Sequence, residues 1–313
     1  MTTVSNLFIG GFRVELSLPD SMTLAEYGYE PFFSSAPGPV VDSDAESLKI
    51  EIRLGDAPRD WLEHWDAEHV LLDTKSTWAM ARTQDSSWPF HLGPSPVRPS
   101  DPPVFHLRSN HRFNEAQVYL GAGYREAQLM SGLLYPLDEV LMRHLLATHG
   151  GLLVHAAGLE VNGKGYLFLG DSGAGKSTIA GFFEDRLGEG RVFSDDRIIL
   201  RYLQGKWWVF GSPWHGTLPR ALHGGVELGG LCFIEQTTEH KIRELTRTEA
   251  LAKLVQTYLG VWWLSEYRMP QIETLERFVA ENAGRFTSLG FTRDASIVDV
   301  FLDHFNEKPR HAD

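Results

Sequence analysis

The sequence predicts an α/β fold of the mixed α+β kind, in which a small β-rich N-terminal lobe precedes a larger domain built on a mixed sheet. Apolar and polar residues alternate along the first part of the chain, as in strands with one buried face. Further on, an apolar run enters a glycine-rich loop that a helical pattern leaves. An Asn-Gly pair joins that run to the β-like run before it, which is typical of a hairpin. We place the lobe at residues 1–125 and the domain at residues 126–313.

The composition excludes several classes of protein. The 313 residues are 42% hydrophobic and 22% charged, an ordinary globular balance. The net charge of -12 argues against nucleic acid or an anionic membrane as the main partner, since both need a basic face. No apolar run reaches the roughly 18 residues of a membrane span, and the N-terminus lacks a signal-peptide pattern. We therefore expect a soluble cytoplasmic protein, and a homo-oligomer stays open.

In the lobe, residues 6–18 and 47–54 alternate strictly enough to predict strands, and residues 104–107 and 116–120 predict two more. The sequence shows no metal-ligand cluster in this part. The scattered histidines are interpreted as structural: His64, His69, His106 and His111.

The second domain opens with a helix at residues 136–149, which starts at Pro136 and ends at two glycines. Residues 152–161 and 164–169 are β-like runs, and Asn162-Gly163 between them indicates a type I′ turn. The strand that leads into the glycine-rich loop should therefore pair antiparallel with the strand before it. This favours a mixed sheet over the mainly parallel sheet of most nucleotide-binding folds.

The remaining elements follow from pattern and punctuation. Strands are predicted at residues 191–196, 197–202, 206–210, 228–234 and 286–291. Helices are predicted after a capping box at Thr246, from Pro270 to about Glu281, and over residues 294–305.

The glycine-rich loop carries a G-x-x-x-x-G-K-[ST] motif, GDSGAGKS at residues 170–177. Its glycines let several backbone N–H groups point at one phosphate, and the helix N-terminus adds its positive end. Lys176 would reach the β and γ phosphates, and the Ser177 hydroxyl would bind Mg²⁺. We therefore expect ATP and Mg²⁺ as cofactors. The nucleotide-contacting residues predicted here are Gly170, Asp171, Ser172, Gly173, Ala174, Gly175, Lys176, Ser177 and Thr178.

Two adjacent carboxylates, Asp195 and Asp196, follow Lys176 by about twenty residues at a predicted strand end. Such a pair can divide its roles, one toward a metal and one toward an acceptor hydroxyl. The alternative is an exposed turn. His155 should lie on the neighbouring strand and reach the pair, although the sequence alone slightly favours a structural histidine. Strand alternation points Arg197 elsewhere.

Trp214 and His215 are further candidates, because they lie in a Gly- and Pro-bearing loop of the kind that often carries binding residues. We interpret them as substrate-loop residues.

Together these segments resemble the HPr serine kinase/phosphorylase family, and more closely the HPr-kinase-like proteins often associated with modified-peptide biosynthesis. The segments are VHAAG at 154–158, the hairpin, GDSGAGKST, FSDDR at 193–197 and GSPWHG at 211–216. The resemblance covers about residues 130–260. It implies a P-loop kinase core on a mixed sheet, similar to that of phosphoenolpyruvate carboxykinase.

The resemblance also implies roles for the acidic pair. Asp195 would be the general base on the acceptor hydroxyl, and Asp196 would support it through His155. Ser177 and Asp196 are then the residues assigned to Mg²⁺. Thr178 stands where HPr kinases usually carry Glu, which argues against HPr itself as the acceptor.

The resulting hypothesis is an ATP-dependent kinase that transfers the γ-phosphoryl group to a hydroxyl of a peptide, a protein serine or a small molecule. The alternative is a nucleotide-binding regulatory or peptide-escort module with little transfer. The pair of acids and the histidine favour the kinase, because an escort has no need of them. Carboxykinase-like metabolism is a third, weaker hypothesis, since the chain lacks the corresponding substrate residues.

Overall fold

The computed structural model describes residues 2–21, 32, 47–63, 65, 69–75, 78–96, 105–121 and 136–307. The chain divides into two compact units. Unit 1 comprises Met1–His149 and Val261–Pro270, and unit 2 comprises Gly150–Gly260 and Gln271–Asp313. The predicted boundary after residue 125 stays a prediction, because residues 122–135 lie outside the described residues. The helix predicted at 136–149 groups with unit 1.

Unit 1 is built on an eight-stranded mixed sheet with the strand order β1-β2-β3-β8-β7-β6-β5-β4. The β2–β3 and β3–β8 pairs are parallel and the other neighbours are antiparallel. Its elements are β1 (Thr2–Ile9), β2 (Phe12–Pro19), β3 (Leu48–Leu54), α1 (Arg59–Leu62), β4 (Val70–Asp73), β5 (Ala79–Arg82), β6 (Phe90–Gly93), β7 (Phe105–Ser109), β8 (Glu115–Leu120) and α2 (Leu137–Thr148).

The alternation that predicted the first strands is visible in the burial of β2. Phe12, Val14, Leu16 and Leu18 are all buried, and the residues between them are more exposed. The chain reverses between β1 and β2 through two glycines with positive φ, so residues 6–18 form a hairpin rather than one strand. Residue 104 and His64 lie outside the described residues.

Unit 2 is built on a second mixed sheet with the order β10-β9-β12-β13-β14-β16-β15. Because β10 also pairs with β14, strands β10, β9, β12, β13 and β14 close into a ring. The elements are β9 (Leu152–Val161), β10 (Lys164–Leu169), α3 (Lys176–Leu187), β11 (Val192–Ser194), β12 (Arg197–Leu203), β13 (Lys206–Phe210), β14 (Gly225–Gln236), β15 (Lys241–Glu244), α4 (Arg247–Thr257), α5 (Ser265–Glu281), β16 (Phe286–Phe291) and α6 (Ile297–Glu307). Helix α5 divides between the units at Pro270.

The hairpin before the glycine-rich loop has the turn that the sequence predicts. Asn162 and Gly163 have φ values of 51° and 76°, as a type I′ turn requires, and β10 pairs antiparallel with β9. Gln204 and Gly205 repeat these positive φ values between β12 and β13. The prediction of a mixed α/β protein is confirmed.

Three strands of unit 2 run parallel and end at the same edge of the sheet. β10 is parallel to β14, and β14 is parallel to β16. The segments that follow Leu169, Gln236 and Phe291 therefore emerge side by side, at the edge where open α/β sheets bind ligands.

Helices α3 and α6 cover one face of this sheet. Phe168 of β10 lies with its ring 5.4 Å from that of Phe183 on α3 and 5.5 Å from that of Phe301 on α6. All three side chains are at most 1% exposed. Because α3 is anchored in this core, the start of the helix has a fixed place at the end of β10.

The ends of α4 and α5 compare differently with the sequence-based predictions. The capping box before α4 is confirmed, since the Thr246 side chain accepts from the Glu249 backbone and the Glu249 side chain accepts from the Thr246 backbone. The start of α5 at Pro270 is wrong, because the helix begins at Ser265 and contains Pro270. Among the described residues, no helix is long and apolar enough to cross a membrane.

Candidate functional site

The glycine-rich loop connects the end of β10 to the start of α3. Gly173 and Gly175 have φ values of 81° and 112°, which side-chain-bearing residues rarely adopt. A Cβ atom on Gly175 would also lie 2.8 Å from the ring of Phe291. These positions therefore favour glycine, and the loop passes close to Phe291 at the end of β16.

The side chain of Lys176, the first residue of α3, lies against the glycine-rich loop. Its Nζ donates to the backbone carbonyls of Gly170 at 2.9 Å and Asp171 at 3.0 Å. The residue is 6% exposed. Burial lowers the pKa of the Lys176 ammonium, and the negative charges of Asp196 and Asp171 oppose that shift.

Asp195 is a buried acceptor at the centre of the site, with 2% of the residue exposed. Its Oδ2 accepts from the Ser177 hydroxyl at 2.8 Å and from the backbone N–H of Leu218 at 3.0 Å. Its Oδ1 accepts from the backbone N–H of Gly216 at 2.6 Å. Both oxygens are therefore held by the loop after β13 and by the first turn of α3.

Asp196 makes a different set of contacts. Its Oδ1 lies 2.9 Å from His155 Nε2, and its Oδ2 lies 2.7 Å from Arg197 Nη1. Burial alone would raise the pKa of the Asp196 carboxyl, but the His155 hydrogen bond and the positive charges of Arg197 and Lys176 hold that pKa below its usual value. Asp196 is 27% exposed at its side chain, so the carboxylate is accessible.

Strand pairing explains why these groups meet. Leu169, the last residue before the loop, pairs with Ala156 of β9, and the Ala156 N–H donates to the Asp196 carbonyl at 3.2 Å. Arg197 pairs with His155 across β12 and β9. The acidic pair, between β11 and β12, therefore lies across β9 from the end of β10, where the glycine-rich loop begins.

The structure brings most of the predicted site residues together. Lys176, Ser177, Asp195, Asp196 and His155 form one group, as the preceding contacts describe. Other members of the predicted loop are exposed and accessible: Asp171, Ser172, Gly173 and Thr178.

Trp214 departs from its predicted role in substrate binding. It is 1% exposed, and its backbone carbonyl accepts from the Ser194 hydroxyl at 2.9 Å. Its side chain is therefore part of the core and fixes the loop that reaches Asp195. His215 is partly exposed, and its Nδ1 lies 3.2 Å from the Gly216 carbonyl.

Several contributors were not predicted from the sequence. Arg197 was expected to point elsewhere, yet it contacts Asp196. The backbone donors of Gly216 and Leu218 have no side-chain signature, so no pattern could have found them. Gln236 and Arg293 both donate to the carbonyl of Gly173, at 3.1 and 3.0 Å.

The residues present fit a magnesium ion. The Ser177 hydroxyl and the Asp195 carboxylate lie together, and Mg²⁺ prefers hard oxygen ligands of these types. Within the described part of the chain, no group of three or more His, Cys, Asp or Glu side chains could hold a metal by itself. A few protein oxygens beside a phosphate-binding loop are the usual arrangement for Mg²⁺.

Comparison with known proteins gives one family match. The model of a family described as "SynChlorMet cassette protein ScmC" matches residues 130–287, just over half of the chain. No curated protein matches.

Among solved structures, the Hpr(Ser) kinase/phosphatase from Coxiella burnetii matches with 14% identity, over 42% of this chain and 97% of that chain. The TM-score is 0.23, which carries no conclusion about the fold or activity of this chain.

Proposed function

This chain belongs to the ScmC family, and from the geometry of its site we propose that it is an ATP-dependent kinase that transfers a γ-phosphoryl group to a hydroxyl acceptor. One observation carries the proposal: two adjacent carboxylates make separate contacts beside the glycine-rich loop. Asp195 bonds Ser177, whereas Asp196 bonds His155 and Arg197. Phosphoryl transfer to a hydroxyl needs this division between metal binding and proton transfer.

The phosphate site is supported by the loop and its lysine. The glycine conformations suit a loop whose N–H groups turn toward an anion. Lys176 reaches across the loop to two carbonyls, so a phosphate bound there would meet its ammonium group. In this proposal, the loop would be the cradle and Lys176 the cation that a triphosphate requires.

We assign the Mg²⁺ contact to Ser177 with Asp195, instead of Ser177 with Asp196. The supporting observation is the 2.8 Å hydrogen bond between the Ser177 hydroxyl and Asp195 Oδ2. When bound, Mg²⁺ would neutralise charge on the phosphates. The hydrogen bonds from the backbone N–H groups of Gly216 and Leu218 keep the Asp195 carboxylate fixed for that role.

We assign proton transfer to Asp196, the reverse of the sequence-based expectation for Asp195. Both oxygens of Asp195 are engaged and the residue is buried, which leaves it little access to an acceptor. Asp196 is more exposed and its low pKa keeps it ionised. His155 and Arg197 orient the carboxylate, and the imidazole can share the proton that Asp196 accepts.

The second candidate is a nucleotide-binding regulatory or escort protein without transfer. It is favoured by the hydrogen bonds from Lys176 to the carbonyls of its own loop, because they occupy two of the three ammonium N–H donors and leave one for a γ-phosphate. The experiment is incubation with γ-labelled ATP and Mg²⁺ in the presence of Ser- and Thr-containing peptide pools and a set of small alcohols. The kinase predicts an acid-stable phosphate monoester that a Lys176→Met variant does not form. Tight ATP binding without any labelled acceptor would support the escort.

A further inference from the structure

Arg293 lies at the opposite flank of the glycine-rich loop from the acidic pair. It follows β16 by two residues, and β16, β14 and β10 end at the same edge of the sheet. Across the sheet, the loop after β10 thus lies between the end of β16 on one side and His155 of β9 on the other. Any ligand centred on this loop has Asp196 at one flank and Arg293 at the other.

The side chain of Arg293 is aimed at the tip of the loop. Its Nη2 donates to the Gly173 carbonyl at 3.0 Å, and Gln236 Nε2 donates to the same carbonyl at 3.1 Å. This bond fixes the guanidinium against the loop, while the residue as a whole is exposed. A guanidinium has five N–H donors, so one bond to a carbonyl leaves donors for a phosphate.

Arg293 also differs from other arginines of unit 2 in its partners. Arg186 pairs with Asp299, Arg220 with Glu184 and Arg243 with Glu249. Within the described part of the chain, no carboxylate pairs with Arg293. Among the described residues, its positive charge is therefore not paired with a carboxylate.

The backbone of Arg293 is in an uncommon conformation. Its φ of 59° lies in the left-handed region, where a residue with a side chain is less stable than glycine. An arginine in this place contributes a side chain at the loop at some cost in backbone energy. Such a cost is often found at binding sites.

We propose that Arg293 is a second cation for the phosphates of the bound nucleotide, and that it acts from the flank opposite Asp196. This inference rests on the proposed function, since it assumes a nucleotide on the glycine-rich loop. A guanidinium suits the role because it binds phosphate oxygens through two parallel hydrogen bonds. Gln236 supports it as a neutral donor to the same carbonyl and makes no phosphate contact.

The test is equilibrium binding of Mg-ATP by calorimetry to the full chain and its variants. Arg293→Gln and Arg293→Gly should weaken binding by about tenfold or more, as expected for loss of a charge-assisted hydrogen bond. Arg293→Lys should recover part of that loss. Gln236→Ala should change affinity by less than about threefold. Arg186→Ala, an exposed arginine on α3, is the matched control and should bind as the wild type does.

Thermal unfolding separates binding from stability. Arg293→Gly should unfold at or above the wild-type temperature, because glycine relieves the left-handed backbone. Equal losses of affinity in Arg293→Gln and Gln236→Ala, or wild-type affinity in Arg293→Gln, would overturn the inference. ATP binding that depends on Arg293, without phosphoryl transfer to any acceptor, would contradict the proposed kinase activity but not the role of Arg293. Absence of ATP binding by the wild-type chain would overturn both.

Discussion

The Ser177 hydroxyl donates a 2.8 Å hydrogen bond to Asp195, and the neighbouring residue Asp196 bonds His155 instead. Two carboxylates adjacent in sequence therefore belong to separate hydrogen-bond systems. Asp195 ties the start of α3 to the loop after β13. Asp196 ties the end of β11 to the strand that carries His155. The contacts of Asp195 fix its carboxylate in place, whereas those of Asp196 leave its charged carboxylate accessible.

Removing the Asp195 side chain should destabilise unit 2. Asp195→Ala leaves the N–H donors of Gly216 and Leu218 without their acceptor, which costs about 2 kcal/mol of unfolding free energy at about 1 kcal/mol for each hydrogen bond. Urea unfolding followed by tryptophan fluorescence measures this. Asp185→Ala, an exposed aspartate on α3, is the control and should be near neutral. Equal unfolding free energies for the two variants would show that these bonds do not hold the loop.

A methyl group at Gly216 should disturb Asp195 directly. A Cβ there would lie 3.0 Å from Asp195 Oδ2 and 3.2 Å from Oδ1, closer than ordinary contact. Gly216→Ala should therefore weaken Mg-dependent ATP binding by about tenfold. Gly181→Ala is the matched control, since nothing lies within 4 Å of its Cβ. It should stabilise α3 by about 0.5–1 kcal/mol. Calorimetric affinity without change in Gly216→Ala would contradict the role of Asp195.

The acid side of the pH profile should depend on His155. His155 and Arg197 lower the pKa of Asp196 against the raising effect of burial, and the base must be ionised to act. ATP turnover is then lost as the pH falls through the pKa of Asp196. His155→Ala removes a lowering contribution, so this loss should move to higher pH. Turnover measured between about pH 4 and pH 8 tests this, and His149→Ala in unit 1 should leave the profile in place. A profile that does not move in His155→Ala would argue against Asp196 as the base.

Unit 1 should lose stability in acid through its buried histidines. Burial lowers the pKa of His106 to about 4, and its Nδ1 lies 3.0 Å from His91 Nε2. Between that value and the ordinary 6.5, the unfolded chain binds a proton that the folded chain does not. Stability therefore falls as the pH drops through this window, by about 3 kcal/mol from His106 alone. Burial also lowers the pKa of His91 and of His144, so these two histidines add to the loss.

Urea unfolding at several pH values checks this expectation. His106→Gln should reduce the slope of the pH dependence, because His91 and His144 still contribute, whereas His111→Gln, which replaces an exposed histidine, should retain the full slope. An equally steep dependence in His106→Gln would assign the acid sensitivity to other groups.

Local signals made the central part of unit 2 predictable. Asn162-Gly163 requires two positive φ values, so it fixes the hairpin and the antiparallel pairing of β9 with β10. The glycine motif fixes the strand–loop–helix order, and Asp195-Asp196 lies at a strand end as expected. At these positions the residue types themselves determine the local backbone conformation.

Long-range packing and backbone donors were not predictable. The four-residue strands β4, β5 and β6 give too short a pattern to recognise. Pro270 is a common first-turn residue, so its place inside α5 contradicts an otherwise sound signal. The burial of Trp214 and the N–H donors of Gly216 and Leu218 depend on how a loop folds over the site, which no residue type reveals. The approach of Arg293 to Gly173 joins residues that are far apart in the chain.

The most direct measurement is the effect of Asp196→Asn on ATP turnover and on ATP affinity, determined in parallel on the full chain. Turnover is followed with water as the acceptor and with any hydroxyl compound that the wild type labels. Since Asn cannot take a proton but keeps the shape of the side chain, we predict loss of turnover by at least about a hundredfold. ATP affinity should stay within about threefold of the wild type. Near-normal turnover in Asp196→Asn would contradict the assignment of Asp196 as the group that accepts the proton.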